Sequence, residues 1–88
     1  MEIKGFIPVF LYGTKEIYFS RTRKKKNFLE NIKDLRLSDL YETEEEANNI
    51  EKDYIVFQFK GVAKITITIE LWKTILEIEY LQSPILLK

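Results

Sequence analysis

Eighty-eight residues can build one hydrophobic core, so the chain reads as a single domain over residues 1–88. With no histidine and no cysteine it lacks the usual base near neutral pH, the thiol nucleophile and the common zinc ligands. Fourteen basic and fourteen acidic residues cancel in sum but not in place: residues 14–36 hold eight basic against three acidic groups, and residues 37–53 hold seven acidic against one basic.

The N-terminal stretch MEIKGFIPVFLYG has neither a basic leader region nor a small-residue cleavage pattern. Its longest uncharged run, Gly5 to Thr14, is too short to span a bilayer. The expectation is a cytoplasmic protein with no membrane partner. Residues 3–12, IKGFIPVFLY, form a β-branched and aromatic run that ends at YGTK and resumes with EIYFS, the pattern of a hairpin. Pro8 has no N–H to give a ladder, which predicts an edge or bulged strand. Apolar side chains on both of its faces then invite a partner, a second copy of the chain included.

After the basic run RTRKKK, residues 27–41 space Phe28, Leu29, Ile32, Leu35 and Leu40 irregularly, which suits a loop with one or two helical turns. Thr43 followed by Glu46 is a capping-box pair, and Glu44, Glu45 and Glu46 favour the positive end of a short acidic helix. From Tyr54 the period changes to two: YIVFQFKG places Ile55, Phe57 and Phe59 on one face, and VAKITITI places Ile65, Ile67 and Ile69 on one face. Gly61 between them reads as the turn of a second hairpin. The last segment, IELWKTILEIEYLQSP, satisfies two periods. As a strand it alternates Leu76, Ile78 and Tyr80 with Glu77 and Glu79; as a helix over residues 70–82 it aligns Leu71, Ile75 and Ile78, with Thr68 as cap and Pro84 as stop. The capping signals favour the helix. The expected fold is therefore α+β: an antiparallel sheet of two β-hairpins, an acidic central helix and a C-terminal helix.

Two phrases carry a resemblance. LYETEEEA, Leu40 to Ala47, resembles helix starts common in small proteins of phages and mobile elements, and ITIELWKTIL, Ile67 to Leu76, is similar to a capped strand-to-helix phrase. The resemblance implies a compact α+β phage accessory protein that binds a host macromolecule, as inhibitors of defence enzymes such as CRISPR nucleases do; such a protein would work in the cytoplasm of the host cell.

Three functional readings follow from the residues, none of them enzymatic. No cofactor or metal is expected, since the three glycines, Gly5, Gly13 and Gly61, are dispersed and form no phosphate-binding loop. The first reading is a non-catalytic protein that binds a host or defence protein. The acidic Glu42, Glu44, Glu45 and Glu46 and the basic Arg21, Arg23, Lys24, Lys25 and Lys26 would steer the encounter, and Phe10, Tyr12 and Tyr18 would make aromatic contacts. The second is a nucleic-acid-binding protein that grips phosphates through residues 21–26 and stacks Tyr18, Phe19 and Phe28 on bases. The third is a self-assembling subunit that oligomerises through its first strand.

Overall fold

The computed structural model describes residues 1–22 and 28–81. Their order is β1 (Glu2–Tyr12), β2 (Lys15–Phe19), β3 (Phe28–Leu29), two 3₁₀ turns (Ile32–Asp34 and Leu37–Asp39), α1 (Glu44–Asn48), β4 (Gln58–Glu70) and β5 (Lys73–Leu81). The strands form one antiparallel sheet in the order β3-β2-β1-β4-β5. Among the described residues no helix is longer than five residues, so this is a β-rich fold and the α+β expectation is overturned. None is long and apolar enough to cross a membrane.

The first hairpin turns where expected. Gly13 has φ 65°, the left-handed backbone that a two-residue hairpin loop requires. β1 is nevertheless central. It pairs with β4 from Glu2 to Leu11 and with β2 from Val9 to Tyr12. Phe6 exchanges both backbone hydrogen bonds with Tyr41, at 2.8 and 2.7 Å. Two residues on, the Pro8 nitrogen faces the same side, away from β4, so the long β1–β4 ladder loses no donor there.

Apolar groups on both faces of β1 are covered from within. One face carries Ile7, Val9, Tyr18, Ala63 and Ile65 beneath Leu40, Ile32 and Leu35; the other carries Phe10, Ile17 and Phe19 with Ile50, Phe57 and Phe59. The chain crosses from the first face to the second at Tyr41. Gly5 lies under Leu40 so closely that a Cβ there would come within 2.7 Å of the leucine. A buried Asp39 ties this cover down: Oδ1 accepts from the Ser20 hydroxyl, and Oδ2 accepts from the Arg36 N–H at 2.8 Å.

Two further expectations fall. Gly61 is not a turn but part of a bulge within one thirteen-residue strand: Val9 faces Gly61, Phe10 faces Phe59, and Lys60 is the extra residue. Its φ of 148° is open to glycine and rarely to other residues. The bulge changes which parity faces which core, so Phe59 joins the aromatic face while Ala63 and Ile65 join the aliphatic one. The C-terminal helix is instead β5, joined to β4 across Leu71 and Trp72. Ile78 lies opposite Ile65 and Leu76 opposite Ile67, and the many β-branched side chains of both strands fit a pleated surface better than a helix.

Candidate interaction surface

The aromatic face is a layer of rings in mutual contact. Phe10 packs against Phe19 with centroids 4.4 Å apart and edge-on to Phe59 at 5.2 Å. Tyr54 approaches Phe10 at 5.7 Å and Phe57 at 5.8 Å, and Tyr12 reaches Phe57 at 5.6 Å. Above this layer the chain presents apolar groups to solvent at the end of the sheet where β1 turns into β2. Ile55 is 105% exposed, Val56 57% and Tyr12 53%. The loop beneath them is braced locally: the Glu51 carboxylate accepts from the Lys52 and Asp53 N–H groups, and the Lys52 ammonium sits 4.7 Å above the Phe59 ring.

Acidic groups lead up to this patch. The Thr43 hydroxyl oxygen accepts from the Glu46 N–H at 3.1 Å, the cap that the sequence predicts, and starts α1 there. Glu42, Glu44, Glu45 and Glu46 are all exposed, as are Glu51 and Asp53 beyond the helix. One stretch of chain thus presents acidic groups and then the apolar patch.

The other predicted contact residues are placed differently. Phe10 and Tyr18 are interior, in the aromatic and aliphatic cores respectively, and do not offer a contact surface. Their alternating strand positions looked equally able to face solvent because the cover on each face comes from distant segments. Phe19 is likewise buried and Phe28 half-buried, so the aromatic groups flanking the basic run are not free to stack on bases. Arg21 is exposed, with its Nε donating to the Leu40 carbonyl at 2.9 Å. Arg23, Lys24, Lys25 and Lys26 lie outside the described residues. β1 is an inner strand of the sheet: it pairs with β4 from Glu2 to Leu11, and on its other side with β2 at Val9–Tyr12 and with Tyr41 at Phe6.

A polar network closes the aliphatic face beside the bulge. The Glu16 carboxylate accepts from Lys60, from the Tyr80 hydroxyl at 2.7 Å and from the Tyr18 hydroxyl at 3.0 Å. The hydrogen bond from Lys60 holds the Glu16 carboxyl below its ordinary range despite partial burial, while the same bond raises the Lys60 ammonium. Burial, reinforced by the neighbouring carboxylate, raises both tyrosines. Every displacement moves a group away from neutral pH, the opposite of what proton transfer near neutral pH requires. Among the described residues there is also no group of three acidic side chains placed to hold a metal.

Sequence reasoning missed Ile55 and Val56. Ile55 alternates with Phe57 and Phe59 as an inward residue would, but it precedes β4 and lies on a loop. The exposed Leu71 and Trp72 were hidden for a different reason: their two-residue connection contains none of the glycine or asparagine that marks a hairpin. Comparison with protein-family models, with curated proteins and with solved structures gives no match, so the surface is argued from its own geometry.

Proposed function

We propose that this chain is a non-catalytic binding protein that docks onto another protein through the Tyr12, Ile55 and Val56 patch, with the acidic residues 42–53 steering it toward a basic surface. The observation that carries this reading is the patch itself: three exposed apolar side chains on a packed aromatic base, two of them following the exposed Glu51 and Asp53 closely in the chain. Anchors of that kind, held in place before contact, lose little freedom on binding and dominate interface energies. The carboxylates set approach rate and partner choice more than final affinity.

The resemblance of residues 40–47 to helix starts in phage and mobile-element proteins favours a host or defence protein as the partner, which makes an inhibitor of a CRISPR-like nuclease or other host enzyme the form this function takes. The partner's basic groove, where such an enzyme binds nucleic acid, would suit the carboxylates. The test compares wild type with Ile55→Asp/Val56→Asp and with Glu44→Lys/Glu45→Lys in capture from host lysate, and titrates each against labelled DNA and RNA at two salt concentrations. The expected result is a protein retained by wild type and lost from both variants, with no salt-dependent shift of naked nucleic acid. Equal retention by all three proteins, or binding of nucleic acid alone, would overturn the reading.

A further inference from the structure

Among the described residues the far side of the sheet ends in an open edge. Above the bulge, odd-numbered residues of β4 direct their backbone groups at β1: the Ile69 N–H donates to the Met1 carbonyl at 2.7 Å, and Ile67, Ile65 and Ala63 lie opposite Ile3, Gly5 and Ile7. Alternation gives the even-numbered residues to β5, where Glu70 faces Lys73, Thr68 faces Ile75 and Thr66 faces Glu77. The backbone groups of Thr74, Leu76, Ile78 and Tyr80 therefore point outward, and no strand among the described residues takes them. A nine-residue strand with a free ladder edge is a template for another strand.

We infer that a second copy of this chain occupies that edge, β5 against β5 in antiparallel sense, with the two-fold axis at Leu76. Charge and side-chain pairing decide the register. With the axis at Leu76, Lys73 lies opposite Glu79 of the second copy, and symmetry supplies the same ion pair again. Leu76 meets Leu76 and Thr74 meets Ile78, the positions whose outward backbone groups can bond without disturbing the β4 ladder. Farther out, the 88% exposed Leu71 and 87% exposed Trp72 come alongside Leu81 and Tyr80 of the second copy.

Neighbouring registers are worse. An axis at Glu77 sets Glu77 against itself, and an axis at Ile78 sets Glu77 against Glu79, like charges directly opposed. An axis at Ile75 also sets Lys73 against Glu77, but it shortens the overlap of the two strands and sets Leu71 against Glu79. Lys73 and Glu79 are both exposed, and neither forms an ion pair among the described residues. A two-fold axis perpendicular to the sheet keeps like faces together, so Ile78 of the second copy reaches the mouth of the cleft between Ile32, Leu35, Ile67 and Leu76. The dimer doubles the five-stranded sheet and carries the Tyr12 patch at opposite ends, so a partner with two sites would be held bivalently.

Sedimentation equilibrium from about 1 μM to 1 mM tests this, since edge pairing alone buries a small interface and associates weakly. The average mass is expected to rise from the 10.6 kDa of one chain toward twice that value. Lys73→Glu and Glu79→Lys should each weaken the dimer about tenfold, because each replaces two attractive pairs by two repulsive ones, and the double variant should restore it. The natural chain has no cysteine, so Leu76→Cys should cross-link on mild oxidation across a pair whose Cα atoms lie about 5.5 Å apart, and Glu77→Cys should not. A monomer at every concentration, a dimer indifferent to both charge reversals, or cross-linking through position 77 in place of 76 would overturn the inference.

Discussion

The two halves of the sheet are built by different rules. Around β1 and β2, apolar side chains fill both faces and each face has its own cover, residues 32–40 on one and residues 44–57 on the other. The hairpin of β4 and β5 has a covered aliphatic face, an opposite face of Lys64, Thr66, Glu77 and Glu79, and an edge that no strand among the described residues takes. The central half derives its stability from burial. The hairpin half holds its shape through ladder bonds and cross-strand pairs.

The contrast predicts unequal costs for similar changes. Phe10→Ala removes a fully buried ring from the aromatic face and should lower the unfolding free energy by about 3–5 kcal/mol, whereas Ile69→Thr near the hairpin tip, with 40% of the residue exposed, should cost about 1 kcal/mol or less. Urea denaturation of both variants measures the difference, and equal losses would break the comparison. A smaller loss of about 1–3 kcal/mol is expected for Gly5→Ala, because the added methyl meets the Leu40 side chain and must push the cover away from the sheet. The same denaturation series reads it.

The smallest effect is expected at the seam between the halves, where Glu16 from β2 meets Lys60 and Tyr80. Glu16 gives up its proton more readily in the folded state than in the unfolded one. Its stabilisation is therefore complete above its ordinary value of 4.5 and is lost as pH falls through the lower folded value. Lys60, Tyr18 and Tyr80 are displaced upward, so their contributions persist below ordinary values of 10.5 and 10.0 and disappear as pH rises through the folded ones. Melting temperature against pH should show a plateau between these limits, and Glu16→Gln should flatten its acid limb.

How much of this is legible in the sequence differs between the halves. The turn at Gly13 and the cap at Thr43 are written locally, in residues whose backbone or side-chain chemistry permits few alternatives, and the structure contains both. The loop with short helical turns after the basic run corresponds to the two 3₁₀ turns. Long-range facts are not local. Pro8 announces a missing donor, but only the pairing shows that its nitrogen faces away from β4, the long partner of a central strand. Gly61 fits either a turn or a bulge, and the choice depends on whether residues on both sides pair with the same neighbour, which they do. In residues 70–81 the helical and extended periods tie, and the capping residues argued for a helix that pairing with β4 overrides. The acidic surface at 42–46 was readable from composition, but the apolar patch of Tyr12, Ile55 and Val56 was not, because exposure of Ile55 and Val56 is a property of the aromatic layer below them.

The bulge at Lys60 and Gly61 acts as a phase shift in an otherwise strict two-beat rhythm. A strand of unbroken alternation can serve one interior on each side only by dividing its residues between them along its whole length. Inserting a single beat lets β4 deliver consecutive segments to opposite interiors, aromatic first and aliphatic after, and the surplus residue is not wasted, since its ammonium reaches back to Glu16 on the neighbouring hairpin. The length of chain on either side of that point is therefore fixed by parity: adding or removing residues in pairs preserves the assignment, while a change of one exchanges inside for outside over everything that follows.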